Sequence, residues 1–282
     1  MSLDINFDLT SLHRMYADGE VTPEQMALEA LRRAEDGRYP NVWITKISQE
    51  KLLELVRALP AKPTAELPLY GVPFAIKDNI DLAGIKTTVG CPDFVFLPKE
   101  SATVIQRLIA AGALPIGKTN LDQFATGLVG VRSPFGVCQS VFNPRYISGG
   151  SSSGSSVAVA SGMVTFALGT DTAGSGRVPA AFNNIVGHKP TRGLLSNRGV
   201  FPACRSLDCV SIFAGSCHDA QAVLEAAAAF DAADPYSRPR TETGFGDTFK
   251  FGILPAAQRE FFGDAEAAAL YEQAIARLRD CG

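Results

Sequence analysis

The sequence has few histidines, no cysteine or histidine spacing typical of a metal site, and no apolar run of membrane-spanning length. Only three histidines occur in 282 residues, so histidine-based catalysis has few candidates. The longest apolar runs, such as residues 157–160, are far shorter than the roughly 20 residues that a transmembrane helix needs. The six cysteines form no CxxC pair, and we therefore expect buried free thiols and neither a metal nor another cofactor.

The chain also lacks an excess of basic residues. Its formal charge is −3 and its pI is about 5.7, so it has no basic field of the kind that binds nucleic acid. The first residues contain no basic segment leading into an apolar one, as a secretory signal would. We therefore expect a cytoplasmic protein that binds a small molecule, neither nucleic acid nor membrane, and whose alanine-rich helices suit a homodimer.

Apolar residues make up 46% of the chain, enough for a substantial core. Thr22, Pro23 and Gln25 are typical of a helix start, with an N-cap, a proline at N1 and a capping-box glutamine. Further helices are predicted at 49–59, 103–111, 155–163, 219–230 and 264–279, and strands at 70–76, 114–117, 165–170 and 249–254. This alternation predicts an α/β fold with a mixed-order central β-sheet flanked by helices.

We predict a single domain over 1–282, with an N-terminal helical part at about 1–65 and a catalytic core at about 66–282. Because the pattern ends on a helix, we expect further strands to follow, so the domain would be incomplete at its C-terminus.

Residues 148–156 consist only of serine and glycine. A flexible linker has this composition too. However, an apolar run follows at once at 157–160, and a helix there would have its N-terminus capped by these serines. The context therefore favours a polar, hydrogen-bonding site over a linker.

A second cluster of small residues, 169–177, directly follows the predicted strand 165–170. Here the backbone N–H groups of Thr172, Ala173, Gly174 and Ser175 can converge on one point, as an oxyanion hole requires. An ordinary tight turn is the alternative.

Lys77 stands at the end of an apolar strand. Burial disfavours the ammonium form and lowers the pKa of a lysine, so a neutral Lys77 can accept a proton near pH 7. A structural lysine paired with Asp78 or Asp81 is the alternative.

Together these segments resemble the amidase-signature family, whose pattern runs from a strand-end lysine through a Gly-Gly-Ser-Ser loop to an Asp-Thr-x-Gly-Ser turn. The resemblance extends over about 70–214 and includes the segments 117–120, 143–144, 187–191 and 206–208. It implies that Lys77 is the base, that Ser151 relays the proton and that Ser175 is the nucleophile of an acyl-enzyme mechanism. Removing the serine proton is what makes its hydroxyl an effective nucleophile, and in this scheme no histidine is required.

Two other motifs compete with this interpretation, and a third fails to match. Residues 112–119 satisfy the Walker A pattern, but a helix precedes them and 114–117 looks like a buried strand. Residues 150–154 fit the Gly-x-Ser-x-Gly nucleophile elbow, with His188 or His218 as its histidine, although Asn143-Pro144-Arg145 breaks any strand upstream. The Ser-x-x-Lys pattern is absent at Lys77, because position 74 is phenylalanine.

The runs 169–192 and 205–214 resemble the allophanate hydrolase branch in particular. This resemblance implies cleavage of the terminal amide of allophanate (urea-1-carboxylate), as in urea breakdown, with release of ammonia and carbon dioxide. Arg177 is a candidate to bind the substrate carboxylate, unless it forms a structural ion pair with Asp171 or Asp208. The loop that carries Thr126 and Gly127 is implied to contact the substrate, and a plain glycine-rich turn is its alternative. The resemblance also implies substrate contacts from a region beyond residue 282.

Other functions stay open at this point. One is an amidase for another small amide, and a second is a glutamine-amidotransferase-type subunit that releases ammonia for a partner. A third is a truncated chain that keeps the motifs without turnover.

Overall fold

The computed structural model describes residues 7–241 and 250–281, and its contacts divide the chain into two compact units, Met1–Arg240 and Thr241–Gly282. The helices of the first unit are α1 (Leu9–Ala17), α2 (Pro23–Glu35), α3 (Gln49–Ala58), α4 (Thr103–Ala110), α5 (Ser153–Ala160), α6 (Val178–Phe182) and α7 (Cys217–Ala227). Its strands are β1 (Trp43–Lys46), β2 (Pro73–Lys77), β3 (Leu114–Thr119), β4 (Phe166–Thr170), β5 (Val186–His188) and β6 (Val210–Ala214). The second unit contains α8 (Ala265–Asp280).

The described strands form one sheet in the order β1-β3-β2-β4-β6-β5. The central strands β3, β2 and β4 are parallel, whereas β1, β6 and β5 pair antiparallel with their neighbours. The prediction of an α/β fold with a mixed-order sheet is therefore confirmed. Because β2 and β4 are parallel neighbours, their carboxyl ends, at Lys77 and Thr170, meet at the same edge of the sheet.

Burial explains why the central strands carry polar side chains only at their carboxyl ends. Every residue of β2, β3 and β4 is buried, as expected for parallel strands covered on both faces. Phe74 and Phe166, paired across β2 and β4, stack with ring centroids 5.0 Å apart. The polar side chains at the ends of these strands are therefore held by a rigid, close-packed layer.

The helix start predicted at Thr22 is confirmed. The Gln25 N–H donates to Thr22 Oγ1 at 3.2 Å, and the Thr22 N–H donates to Gln25 Oε1 at 2.8 Å, which completes a capping box. Met26 and Ala30 of α2 are fully buried in the core. The segment predicted as the helical part, 1–65, also contributes β1 to the sheet.

The strand predicted at 249–254 is wrong in its described part. Phe249 lies outside the described residues, and residues 250–254 form no strand. A strand needs a partner with unpaired backbone N–H and C=O groups. The described segments that follow it in the second unit are the short turn Ala256–Gln258 and α8, whose backbone groups bond within the helix.

The second unit is small and is held by contacts of its own. Arg259 forms an ion pair with Glu272, and its guanidinium lies 5.1 Å from the centre of the Tyr271 ring. The helix predicted at 264–279 is confirmed as α8, with Asp264 as its N-cap. The single domain predicted over 1–282 stays a prediction.

Two further observations concern the whole described chain. No helix within 7–241 or 250–281 combines the length and apolar character needed to span a bilayer. The cysteines are free thiols as predicted, but only Cys138 and Cys209 are buried, and Cys204, Cys217 and Cys281 are exposed. The expectation that the thiols are buried is therefore wrong for these three.

Candidate active site

Lys77 ends β2 and is fully buried. Its Nζ lies 2.8 Å from Ser151 Oγ and 2.8 Å from Thr170 Oγ1. Burial lowers the pKa of Lys77 to about 7, against the opposing effect of nearby carboxylates, of which Asp122 is the strongest. At neutral pH a large fraction of this amine is therefore neutral and able to accept a proton.

The structure distinguishes Ser151 from the serines around it. The hydroxyls of its neighbours donate to backbone carbonyls: Ser152 to Thr170, Ser153 to Asn120, Ser155 to Leu168 and Ser156 to Ser153. Ser151 is the member of this described segment whose hydroxyl contacts the Lys77 amine. Ser152 and Ser155 tie α5 to β4, whereas Ser151 contacts the Lys77 amine. The expected serine cap is wrong, because the N-cap residue Ser152 makes no side-chain capping hydrogen bond and its hydroxyl is bonded to Thr170 instead.

Ser175 lies in the turn between β4 and α6 and is 5% exposed. Gly174 adopts φ +136°, a conformation that L side chains rarely adopt, so glycine is favoured directly before the serine. The Ser175 hydroxyl donates to the Gly127 carbonyl at 3.4 Å, a long hydrogen bond. The Lys77–Ser151 contact of the expected relay is thus formed. The expected hydrogen bond between the Ser151 and Ser175 hydroxyls is not formed in the described chain, where the Ser175 hydroxyl is bonded to Gly127 instead.

Asp171 determines which backbone N–H groups of this turn are available. Its carboxylate accepts the Gly174 N–H at 2.7 Å and the Gly176 N–H at 3.0 Å. Gly174 therefore does not fit its predicted place among the oxyanion donors, because its single N–H is already bonded. The N–H groups of Thr172, Ala173 and Ser175 have no acceptor among residues 7–241 and 250–281, and these three remain the candidates.

Arg177 forms the structural ion pair that the sequence left open, and its partner is Asp171. Nε and Nη2 of Arg177 contact the two carboxylate oxygens at 2.9 and 3.1 Å. The ion pair and the backbone N–H bonds lower the pKa of Asp171 against the opposing effect of burial, which is the largest single influence on it. The Arg177 side chain is still 55% exposed, and its Nη1 takes no part in this pair.

Of the two residues predicted in the substrate loop, one contacts Ser175 and the other is exposed. The Gly127 carbonyl lies against the Ser175 hydroxyl, so this residue is at the site. The Thr126 side chain is exposed, and its hydroxyl donates to the Phe124 carbonyl at 3.2 Å. Whether either contacts a substrate stays a prediction.

Thr170 and Asn79 belong to the site although the sequence analysis did not single them out. Thr170 Oγ1 accepts from Asn79 Nδ2 at 3.2 Å and contacts the Lys77 amine. Asn79 Nδ2 also donates to the Phe201 carbonyl at 3.2 Å. The sequence did contain one signal for Thr170: it is a polar residue at the end of the buried strand β4. Such a residue lies beside the end of β2, where Lys77 stands.

The Walker A alternative is excluded by the structure. Its segment contains β3, a fully buried strand of the sheet. Lys118, the lysine that would bind phosphate, is buried and lies 3.2 Å from the Asp78 carboxylate. A phosphate-binding loop instead follows a strand and leaves its lysine accessible to the nucleotide.

The nucleophile-elbow alternative lacks the strand that would precede it, because residues 141–152 contain no strand. Its central serine, Ser152, is buried and donates to the Thr170 carbonyl. Neither histidine contacts a serine within the described chain: His188 Nε2 has no hydrogen-bond partner there, and His218 lies 3.2 Å from Asp219.

We therefore expect His188→Ala and His218→Ala each to change kcat by less than about tenfold, since loss of a true general base costs about 10²- to 10⁴-fold. Steady-state ammonia release at saturating substrate measures this. A hundredfold loss of kcat in either variant would support the nucleophile-elbow alternative.

The model of the family named Amidase matches residues 27–282. Urea amidolyase of Lachancea kluyveri is 46% identical over 271 residues, which are 94% of this chain and 15% of that protein. A glutamyl-tRNA(Gln) amidotransferase subunit of Symbiobacterium thermophilum is 39% identical over 285 residues, which are 96% of this chain and 58% of that protein.

A solved structure of allophanate hydrolase from Kluyveromyces lactis is similar over 100% of this chain and 47% of its own, with a TM-score of 0.88 and 41% identity. The chain thus spans less than two thirds of each of these relatives. The family model, in contrast, covers nearly all of the chain, including the three segments around Lys77, Ser151 and Ser175. The chain therefore belongs to the Amidase family.

Proposed function

We propose that this chain carries an amidohydrolase site that cleaves the terminal amide of allophanate through a Ser-Ser-Lys relay. The observation that supports it most strongly is the Lys77 amine, fully buried, with a pKa of about 7, and 2.8 Å from the Ser151 hydroxyl. Such an amine can work as a base at neutral pH. The relay supplies its own base and nucleophile, so the proposal names no cofactor.

The proposed reaction begins at the amide carbonyl. Ser175 gives its proton to Ser151, which passes its own proton to neutral Lys77, and the Ser175 oxygen attacks the carbonyl carbon. The negative charge on the carbonyl oxygen is stabilised by backbone N–H groups, for which Thr172, Ala173 and Ser175 are the candidates. The proton then returns to the leaving nitrogen, the C–N bond breaks and ammonia departs. Water cleaves the acyl-enzyme by the same path.

Allophanate is favoured over other amides for two reasons. One relative is named allophanate hydrolase, and the name of another, urea amidolyase, fits the urea breakdown in which this substrate is expected. In addition, the ion pair with Asp171 occupies only Nε and Nη2 of Arg177, so Nη1 can bind a substrate carboxylate without breaking the pair.

A glutamine-amidotransferase-type activity is the second candidate, because the chain is 39% identical to the amidotransferase relative. The other expectations, a cytoplasmic location and a homodimer, remain part of this proposal.

Ammonia release from three substrates tests the proposal. Purified protein should turn over allophanate with a kcat/KM at least about 100-fold above that for a simple aliphatic amide, because a site built to pair a carboxylate disfavours a substrate that lacks it. Glutamine should also be slower than allophanate. Preference for glutamine would favour the amidotransferase-type function, and no turnover of any amide would contradict the hydrolase function.

A fluorophosphonate probe gives a readout that does not depend on the substrate pocket. It phosphonylates an activated serine, and peptide mass analysis locates the adduct. We expect the adduct on Ser175. Labelling of Ser175 without turnover would indicate an intact relay in a chain that lacks substrate contacts.

A further inference from the structure

Asp122 is a fully buried carboxylate three residues beyond the end of β3, and it contacts the Ser151 segment through its backbone. Its N–H donates to the Ser151 carbonyl at 3.0 Å. Its side chain accepts two backbone N–H groups, Gly130 on Oδ2 at 3.0 Å and Arg132 on Oδ1 at 2.8 Å. The side chain thus closes the loop 122–132, here called the Asp122 loop.

This loop contacts both catalytic segments. The Gly127 carbonyl accepts from the Ser175 hydroxyl at 3.4 Å, and the Leu128 carbonyl accepts from the Gly150 N–H at 2.9 Å. One closed loop therefore lies between the residue before Ser151 and the nucleophile.

Glycines leave room for the carboxylate. A Cβ built on Gly127 would lie 2.8 Å from Asp122 Oδ2, and one built on Gly150 would lie closer still. Real side chains do not approach a carboxylate oxygen at such distances. The Asp122 carboxylate is therefore packed against Gly127, whose carbonyl meets Ser175, and against Gly150, which precedes Ser151.

We propose that Asp122 is a positioning residue of the relay, which holds Ser151 and the Gly127 carbonyl in place relative to Lys77 and supplies a buried negative charge beside the amine. The proposal rests on the proposed function, in which Lys77, Ser151 and Ser175 carry the proton.

The charges around Lys77 indicate why Asp122 matters electrostatically. Three carboxylates raise the pKa of Lys77 against the larger, lowering effect of burial: Asp122 first, then Asp171 and Asp208. Asp171 is neutralised by its pair with Arg177. Asp208 accepts from the Thr172 hydroxyl at 2.6 Å and from the Cys204 N–H.

The remaining charged groups near the site have partners of their own. Lys118 and Asp78, on β3 and directly after β2, pair with each other at 3.2 Å. Arg132, which the loop carries, donates its Nη1 to the Thr126 carbonyl at 3.3 Å. The carboxylate of Asp122 has two neutral N–H donors, so its charge is not cancelled by an ion pair with a described residue.

The test compares Asp122→Asn with Asp234→Asn, a matched control. Asp234 is also buried and also accepts two backbone N–H groups, from Asn197 at 2.8 Å and Tyr236 at 2.9 Å, but it is not among the charges that shift the pKa of Lys77. In Asp122→Asn, the new amide NH₂ faces a backbone N–H and the charge is lost. We expect fluorophosphonate labelling of Ser175 to slow by at least about tenfold and the midpoint of its pH profile to move to lower pH. The control should keep both values.

The Asp122→Glu variant distinguishes the positioning role of Asp122 from the effect of its charge. It also tests the positioning role if the Asp122→Asn variant fails to fold. The longer side chain keeps the charge but has no room against Gly127 and Gly150. Labelling should slow while the pH midpoint stays. Full wild-type labelling in this variant would overturn the positioning role.

Titration of Lys77 by ¹³Cε NMR in the same proteins does not depend on turnover. The Lys77 midpoint should fall in Asp122→Asn and stay in Asp122→Glu and Asp234→Asn. An unmoved midpoint in Asp122→Asn, with labelling no slower than in the control, would overturn the proposal. If wild-type Ser175 is not labelled at all, the proposed function fails, and the Lys77 titration still decides the role of Asp122.

Discussion

Replacing Ser175 by alanine is expected to lower kcat for amide hydrolysis by about 10⁶-fold, because loss of the nucleophile removes the covalent path altogether. The serine is nearly buried in a turn whose conformation is fixed by Gly174 and by the Asp171 carboxylate, so a neighbouring hydroxyl cannot take its place by a small shift. The fluorophosphonate adduct should disappear together with ammonia release.

Ser161→Ala is the matched control for this experiment. Ser161 follows α5, and its hydroxyl donates to the Val157 carbonyl at 2.6 Å, a structural role away from Lys77. Its loss should leave labelling and kcat near wild type. An adduct that persists in Ser175→Ala would show that another serine is the nucleophile, with Ser151 the first to test.

Replacing Lys77 by methionine is expected to lower kcat by about 10²- to 10⁴-fold, the range for loss of a general base. Methionine is apolar and suits the fully buried site, but it cannot accept the Ser151 proton. The wild-type rate should rise as the pH passes through about 7, where the amine becomes neutral. Wild-type kcat at neutral pH in the variant would make the base assignment wrong.

The same substitution should change the pH dependence of stability. The pKa of Lys77 is about 7 in the folded protein, against an ordinary value of 10.5, so between these values the unfolded chain binds more protons. The contribution of Lys77 to the free energy of unfolding therefore rises with pH across this window, and below it the cost of the buried charge is fully present. Denaturant titrations of both proteins from about pH 6 to 10 should show the wild type gaining stability relative to the variant.

The elements that could be predicted from the sequence are those with local signals. α2 has its cap, its N1 proline and its apolar stripe within one segment. The strands β1 and β5 contain four and three residues, too few for a periodic pattern to appear. β6 was not predicted either, since its place depends on pairing with β4, a strand distant from it in the chain.

From the residues themselves, the candidate site could be predicted only as a lysine and nearby serines. The structure shows which serine contacts the lysine and which further residues surround it. Adjacent serines are chemically alike, and the resemblance alone pointed to Ser151. The hydrogen bonds show why, since its neighbours are engaged with backbone carbonyls and Ser151 meets the amine. Asp122 had no local signal, because its role depends on glycines at 127 and 150 that only the folded chain brings to it.

The parallel pairing of β2 with β4 has a consequence for how the chain acquires its chemistry. Lys77 is 74 residues from Ser151 and 93 from Thr170 along the sequence. Contacts of such separation cost loop-closure entropy before they stabilise the fold, which slows folding. A partly folded molecule with separated strands has a solvated, protonated lysine and an ordinary serine. Covalent labelling of Ser175 therefore counts the molecules in a preparation whose central sheet is assembled, which a measurement of helix content does not do.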